Sequence, residues 1–194
     1  MSGKNTIKAI ATNYGGCFFR SRLEARWAIY FDAIGWKWNY EPEGFELPGG
    51  TRYLPDFWFP EFDLYAEIKP ESAPAAAFDK ATAFDKATAF ARAGKNILLL
   101  DGVPERRAYK AKFGKYGPDN MDSGGSLIPF HWKYGPVFVG QTLSLGDMDD
   151  YDVATLWACE LANKARFEFG ATPDRENICA TAGWQFGPVA GRGA

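Results

Sequence analysis

Histidine is nearly absent from this chain: 194 residues include one, His131. That scarcity removes two-histidine metal sites and histidine-based zinc hydrolases, which need more imidazoles than are present. His131 itself lies in the apolar run 126–132, a predicted strand, where it reads as structural. Cysteine is scarce as well. Cys17, Cys159 and Cys179 are odd in number and far apart, so they outline neither a disulfide framework nor a zinc site, and a reducing cytoplasm fits. No run approaches the ~18 apolar residues of a membrane span. Met1 to Asn5 leads into no signal-peptide hydrophobic region. Walker-type phosphate loops and nucleophile-elbow patterns are also missing.

Aromatic side chains are abundant: sixteen Phe, nine Tyr and seven Trp. Most should be core, and 194 residues suit one domain with a full interior, spanning 1–194. The net charge of −2 does not announce a nucleic-acid binder, so the placement of charge matters more than its sum.

The richest pattern is Pro55-Asp56 followed by Glu67-Ile68-Lys69. Thr51 to Phe59 is aromatic-rich and Leu64 to Lys69 alternates, so both read as strands, joined by the short connection 60–63. Alternation puts Glu67 and Lys69 on one strand face and Ile68 on the other. An antiparallel neighbour can bring Asp56 beside them. Two carboxylates and an ammonium then meet, which suits a divalent cation and a positioned water. Mg²⁺ prefers oxygen ligands, lowers the pKa of its water and offsets charge on a phosphoryl group in flight. Lysine can orient the water or stabilise that charge. The same residues also match a solvated Glu-x-Lys pair and a Pro-Asp turn opener.

A third acid, Glu24, lies on an expected helix over 20–34 that closes at Gly35. Leu23, Trp27, Tyr30, Phe31 and Ile34 form its apolar stripe, with Glu24 at the margin. Ser21-x-x-Glu24 matches a capping box, so Glu24 has two candidate roles, metal ligand and cap, which can coexist.

Taken in order, Glu24, Pro55-Asp56 and Glu67-Ile68-Lys69 resemble the PD-(D/E)XK nuclease superfamily, with its restriction-endonuclease-like fold. The segments 19–27, 40–45 and 53–58 look like those of small phage and prophage nucleases of this type; the helix-to-meander order also resembles transposon end-cleaving subunits and junction resolvases. The likeness covers about residues 18–102. It implies an α/β fold with an αβββαβ core and a mixed sheet flanked by helices; beyond it the residues read as further strands and a helix at about 103–170 before a tail at 171–194. It implies that Asp56 and Glu67 bind Mg²⁺, with Mn²⁺ substituting, and that the Ile68 backbone carbonyl completes the shell. Lys69 would sit against the attacking water, and Glu24 would bind the metal directly or through water. The expected activity is endonucleolytic cleavage of duplex or branched DNA to a 5′-phosphate and a 3′-hydroxyl, in a bacterial or phage-infected cell. No organic cofactor is implied; a homodimer or partner subunit is. The alternatives are an RNase using the same site and a non-catalytic DNA-binding or assembly subunit.

Two basic clusters are candidate DNA contacts. Arg106, Arg107, Lys110, Lys112 and Lys115 interleave with Tyr109, Phe113 and Tyr116, which suits phosphate contact plus stacking. Arg20, Arg22 and Arg26 share the helix of Glu24. Either cluster also matches a solvated face.

Elsewhere, strands are expected at 37–47, 51–59, 64–69, 96–101, 126–132 and 136–140, and helices at 75–93 and 150–169. The second helix holds a tandem repeat, residues 77–82 and 83–88. Six residues is not a whole number of helical turns, so Phe78, Phe84 and Phe90 spread around the helix, and at least one should be exposed or meet a partner.

Overall fold

A computed structural model describes residues 10–71, 76–107, 109–114, 125–129, 136–138, 149–168 and 172–181. It opens with a hairpin, β1 (Thr12–Tyr14) and β2 (Cys17–Phe19), whose Gly15-Gly16 turn has φ of 57° and 80°. The first helix, α1 (Arg22–Ile34), begins where Ser21, in extended backbone, accepts the Glu24 N–H. It ends at Gly35, whose φ of 78° is a left-handed conformation that side chains with a Cβ resist.

Next come β3 (Asn39–Tyr40), β4 (Phe45–Leu47), β5 (Thr51–Tyr53), β6 (Phe57–Phe59) and β7 (Leu64–Lys69). The helix α2 (Ala76–Arg92) then leads to β8 (Asn96–Asp101), β9 (Tyr109–Lys112), β10 (Gly125–Pro129) and β11 (Pro136–Phe138). Two helices, α3 (Asp149–Lys164) and α4 (Arg175–Thr181), follow. Among the described residues this gives a mixed α/β fold around a seven-stranded sheet ordered β11-β10-β9-β8-β7-β6-β3. β7 and β8 run parallel across the α2 crossover, and the other neighbours are antiparallel.

Two expected strands are each broken in two. Pro55 supplies no N–H for a ladder, and the chain changes partners there: β5 pairs with β4 in a separate hairpin, while β6 joins the main sheet. The 37–47 run breaks at Glu41, which has φ of 44° directly before Pro42. The basic segment predicted as a binding run contains the strand β9, and α4 falls inside the expected tail.

Alternation sorts the core into two layers. Phe57 and Phe59 of β6, Ala66 and Ile68 of β7, and Leu98 and Leu100 of β8 pack with α1, α3 and α4. Tyr65 and Ile97 face the other way, against Tyr53 of the small hairpin and Ala87 and Phe90 of α2. α1 is buried well beyond its predicted stripe, including Ala25, Ala28, Ile29 and Ala33, because β1, β2, α3 and α4 wrap it. Leu23 is half-buried. In the repeat, Phe90 is buried whereas Phe84 is partly exposed, with Lys112 Nζ 4.6 Å from its ring centroid. The side chain of Phe78 lies outside the described residues, as do His131, Lys115 and Tyr116. Cys17, Cys159 and Cys179 are buried and unpaired. Among the described residues, no helix is long and apolar enough to cross a membrane.

Candidate metal centre

The β6–β7 register pairs Phe57 with Ala66, so Asp56, one residue before β6, lies opposite Glu67. Its side chain extends the ladder: Asp56 Oδ2 accepts the Ile68 N–H at 2.7 Å. The Asp56 carbonyl accepts the Glu41 N–H at 2.8 Å. Asp56 is thereby fixed from backbone on two sides.

Glu67 is reached from the face that carries the small hairpin. Tyr53 donates its hydroxyl to Glu67 Oε2 at 3.1 Å, and Lys69 Nζ lies 2.5 Å from Oε1. Both carboxylates are deeply buried, Asp56 with 4% of its surface exposed and Glu67 with 7%. On the far side of β7, Gly102 donates its N–H to the Lys69 carbonyl. Successive carbonyls of a strand point in opposite directions, so the Ile68 carbonyl is on the Asp56 side.

The charges respond to this crowding. Burial pushes the Asp56 carboxyl well above the usual range, and the Glu67 charge pushes it further, with a smaller push from Glu24. The Ile68 N–H and the Lys69 ammonium pull the other way. For Lys69, burial disfavours the ammonium, but Glu67 and Asp56 outweigh it and hold the pKa above that of ordinary lysine. Lys69 therefore carries its proton at neutral pH.

Glu24 stands in the cap rather than beside the other two acids. Its Oε1 accepts from the Ser21 hydroxyl at 2.8 Å, and its Oε2 accepts from the Tyr40 hydroxyl at 2.5 Å and the Arg20 N–H at 3.2 Å. The box expected from the sequence closes on Ser21; here Glu24 reaches one residue further back. Tyr40 and Tyr53 open two of the segments that resemble phage nucleases, but the sequence assigned neither a role at the site, and the Tyr53 contact depends on hairpin geometry.

Arg20 makes the least expected contact. Its Nη2 lies 2.8 Å from Asp56 Oδ1 and its Nε 2.7 Å from Glu41 Oε1. The other helix arginines serve the C-terminal elements: Arg22 pairs with Glu168 at 2.9 Å, and Arg26 donates to the Ala162 and Asn163 carbonyls at the end of α3.

In the 106–116 segment the described basic residues divide between internal and exposed positions, and Lys115 and Tyr116 lie outside the described residues. Arg107 is held by the Asp101 carboxylate at 2.8 Å and by Glu105 at 3.3 Å, over the Tyr109 ring. Tyr109 is in the core, edge-on to Trp27, and cannot stack on a base there. Lys112 shares the Lys110 face of β9 but is buried there beneath Phe84 of α2. Lys110 and Arg106 are exposed.

The residues fit a hard divalent ion: two buried carboxylates from adjacent strands, and one backbone carbonyl on their side. Among the described residues, three or more carboxylates, thiols or imidazoles do not gather around one point. Mg²⁺ needs only one or two protein carboxylates, its remaining positions taking water and substrate oxygens. Neither models of known protein families nor curated proteins match this chain.

Proposed function

We propose that this chain is a Mg²⁺-dependent endonuclease of the PD-(D/E)XK type, cutting duplex or branched DNA. The observation that carries the reading is the burial of Asp56 opposite Glu67 with the Lys69 ammonium on Glu67. Two acids buried side by side on adjacent strands, with a lysine at hand, are the set that a hard divalent ion and a positioned water need. The order α1, then the strands β3, β6 and β7, then α2 and parallel β8 also supports a restriction-endonuclease-like core.

Asp56, Glu67 and the Ile68 carbonyl would hold the ion. When bound there, it supplies a Lewis acid for the phosphoryl oxygen and acidifies water. The protein's own groups do the positioning. The Ile68 N–H fixes one Asp56 oxygen and the Tyr53 hydroxyl one Glu67 oxygen, so the carboxylates arrive oriented. Lys69, kept protonated, donates to the attacking water and to the charge that builds on phosphorus. Water oxygen bonds to phosphorus as the P–O3′ bond breaks; the attacking water gives a proton to solvent and the released oxygen takes one from solvent, giving a 3′-hydroxyl and a 5′-phosphate.

The test offers supercoiled plasmid, linear duplex, branched DNA and single-stranded RNA to wild type and Glu67→Ala, with Mg²⁺, Mn²⁺ or EDTA. Metal-dependent cutting of DNA that disappears in Glu67→Ala supports the reading. Cutting of RNA alone makes the chain an RNase, and DNA binding without any cutting makes it a non-catalytic subunit.

A further inference from the structure

All four oxygens of the two buried carboxylates already have partners. Asp56 Oδ1 has Arg20, Asp56 Oδ2 has the Ile68 N–H, Glu67 Oε1 has Lys69 and Glu67 Oε2 has Tyr53. The two carboxyl groups are met by two cations. A dication entering this group must displace partners, and it adds two positive charges where two already sit.

The partners differ in how easily they yield. The Ile68 N–H belongs to the sheet backbone, and Tyr53 is buried on the hairpin. The displaceable groups are the cations. Lys69 shares a strand with Glu67, and its flexible stem lets the ammonium retract while staying at the site. Arg20 is different. Its side chain is 57% exposed, it extends from the residue before the N-cap, and it faces solvent on leaving Asp56.

The remaining ties on Arg20 are to Tyr40 and Glu41. Its Nε to Tyr40 contact is long at 3.4 Å. Glu41 Oε1 lies at 2.7 Å, yet that oxygen is buried without a well-formed hydrogen bond, so the attraction is of charge alone. Repulsion from an entering dication acts on the guanidinium at close range.

We propose that Arg20 is an exchangeable counter-ion: it neutralises Asp56 until a divalent ion enters, then leaves and pairs with a phosphate of the bound nucleic acid. The proposal rests on the nuclease reading of the site. A planar, always-charged guanidinium suits both partners, since it matches carboxylate and phosphate alike. Arg20 is thus a positioning residue that couples the two ligands. A phosphate that draws Arg20 away makes the ion bind more tightly, and by reciprocity the ion strengthens nucleic-acid binding by the same factor.

Mn²⁺ titration calorimetry on the nucleic-acid-free full chain, with wild type, Arg20→Ala, Arg20→Lys and Glu67→Ala, reads the first half. Removing Arg20 should raise Mn²⁺ affinity by about fivefold or more, the usual scale of such coupling. Arg20→Lys keeps a cation and should stay nearer wild type, whereas Glu67→Ala should lose binding. Affinity for a short duplex in EDTA and in Ca²⁺ reads the second half. The Ca²⁺-dependent tightening should be clear in wild type and largely gone in Arg20→Ala. Mn²⁺ affinity that is unchanged or weaker in a folded Arg20→Ala protein overturns the proposal and makes Arg20 a structural pin for Asp56. If Arg20→Ala does not fold, Arg20→Gln supplies the same comparison. Tighter Mn²⁺ binding without wild-type cleavage of any substrate upholds the counter-ion exchange at the metal and refutes the nuclease. Wild type that binds no Mn²⁺ refutes both.

Discussion

The backbone N–H of Ile68 donates to Asp56 Oδ2 at 2.7 Å, so a side-chain oxygen takes the ladder position that a backbone carbonyl would fill one residue further along β6. This bond makes the orientation of Asp56 a property of the sheet rather than of a flexible side chain. It also places Ile68 between the two acids, with Glu67 its neighbour in sequence and Asp56 its neighbour across the strands.

Glu67 and its hydroxyl partner should separate by size of effect. Glu67→Gln should abolish metal-dependent cleavage, because a neutral amide is a poor ligand for a hard cation. Tyr53→Phe removes only the donor to Oε2 and should lower metal affinity or cleavage by about 10–100-fold, as loss of a ligand's hydrogen-bond partner does. Calorimetry and initial rates report both; equal effects would show that Tyr53 does more than orient Glu67.

Lys69→Ala should uncouple binding from turnover. Cleavage should fall by about 10²–10⁴-fold, the scale of a positioned proton donor, while Mn²⁺ affinity holds or rises. Loss of metal binding in this variant would mean that Lys69 shapes the site instead of acting on the water.

Without metal, Asp56 should make stability fall with increasing pH. A carboxyl whose pKa is raised on folding holds its proton more tightly folded than unfolded. Its contribution is fully present below the unfolded value of 3.8 and is lost as pH rises through the raised folded value. Asp56→Asn removes that titration, and because the wild-type carboxyl is pushed up to about 8, the metal-free variant should be more stable than wild type at neutral pH, with the difference shrinking toward pH 4. Melting curves in EDTA from pH 4 to 8 test this. Asp32 is also shifted upward, but it titrates in both proteins and cancels in the comparison. Parallel pH profiles would show that Asp56 is not the source.

Glu24→Gln should behave chiefly as a cap change. Both Glu24 oxygens are spent on Ser21, Arg20 and Tyr40, so stability should drop by about 1 kcal/mol or less and Mn²⁺ affinity should stay within about threefold of wild type. Loss of metal binding comparable to Glu67→Gln would make Glu24 a ligand.

The legible parts of the chain were those set by local rules. Ser21 and Gly35 bound α1, the apolar run 96–101 gives the buried strand β8 beside β7, and period-2 alternation sets Glu67 and Lys69 together. The β1–β2 hairpin, with its Gly15-Gly16 turn and strands of only three residues, was not anticipated. What depends on distant partners was not legible. Pro55 divides an aromatic run between two sheets, Tyr53 meets Glu67 only once the small hairpin folds over, and Arg107 turns from substrate contact to internal ion pair because Asp101 and Glu105 are close in space. Spacing marked the acids; tertiary packing chose their companions.

The buried Asp32 carboxylate has a practical bearing on how short a working version of this chain can be. Arg175 of α4 grips it with two nitrogens, at 2.7 and 2.8 Å, beside donors from Tyr14 and Trp38. A Cβ on Gly15 would come within 2.6 Å of the Arg175 side chain, so the hairpin turn is shaped around that arginine. The groups assigned to chemistry lie between Arg20 and Lys69, which invites trimming at residue 102. Cutting there would strand an unpaired charge inside α1, at about 3–5 kcal/mol. The smallest portable fragment therefore runs to Thr181, because α4 secures the helix packed behind the strands that carry the two acids.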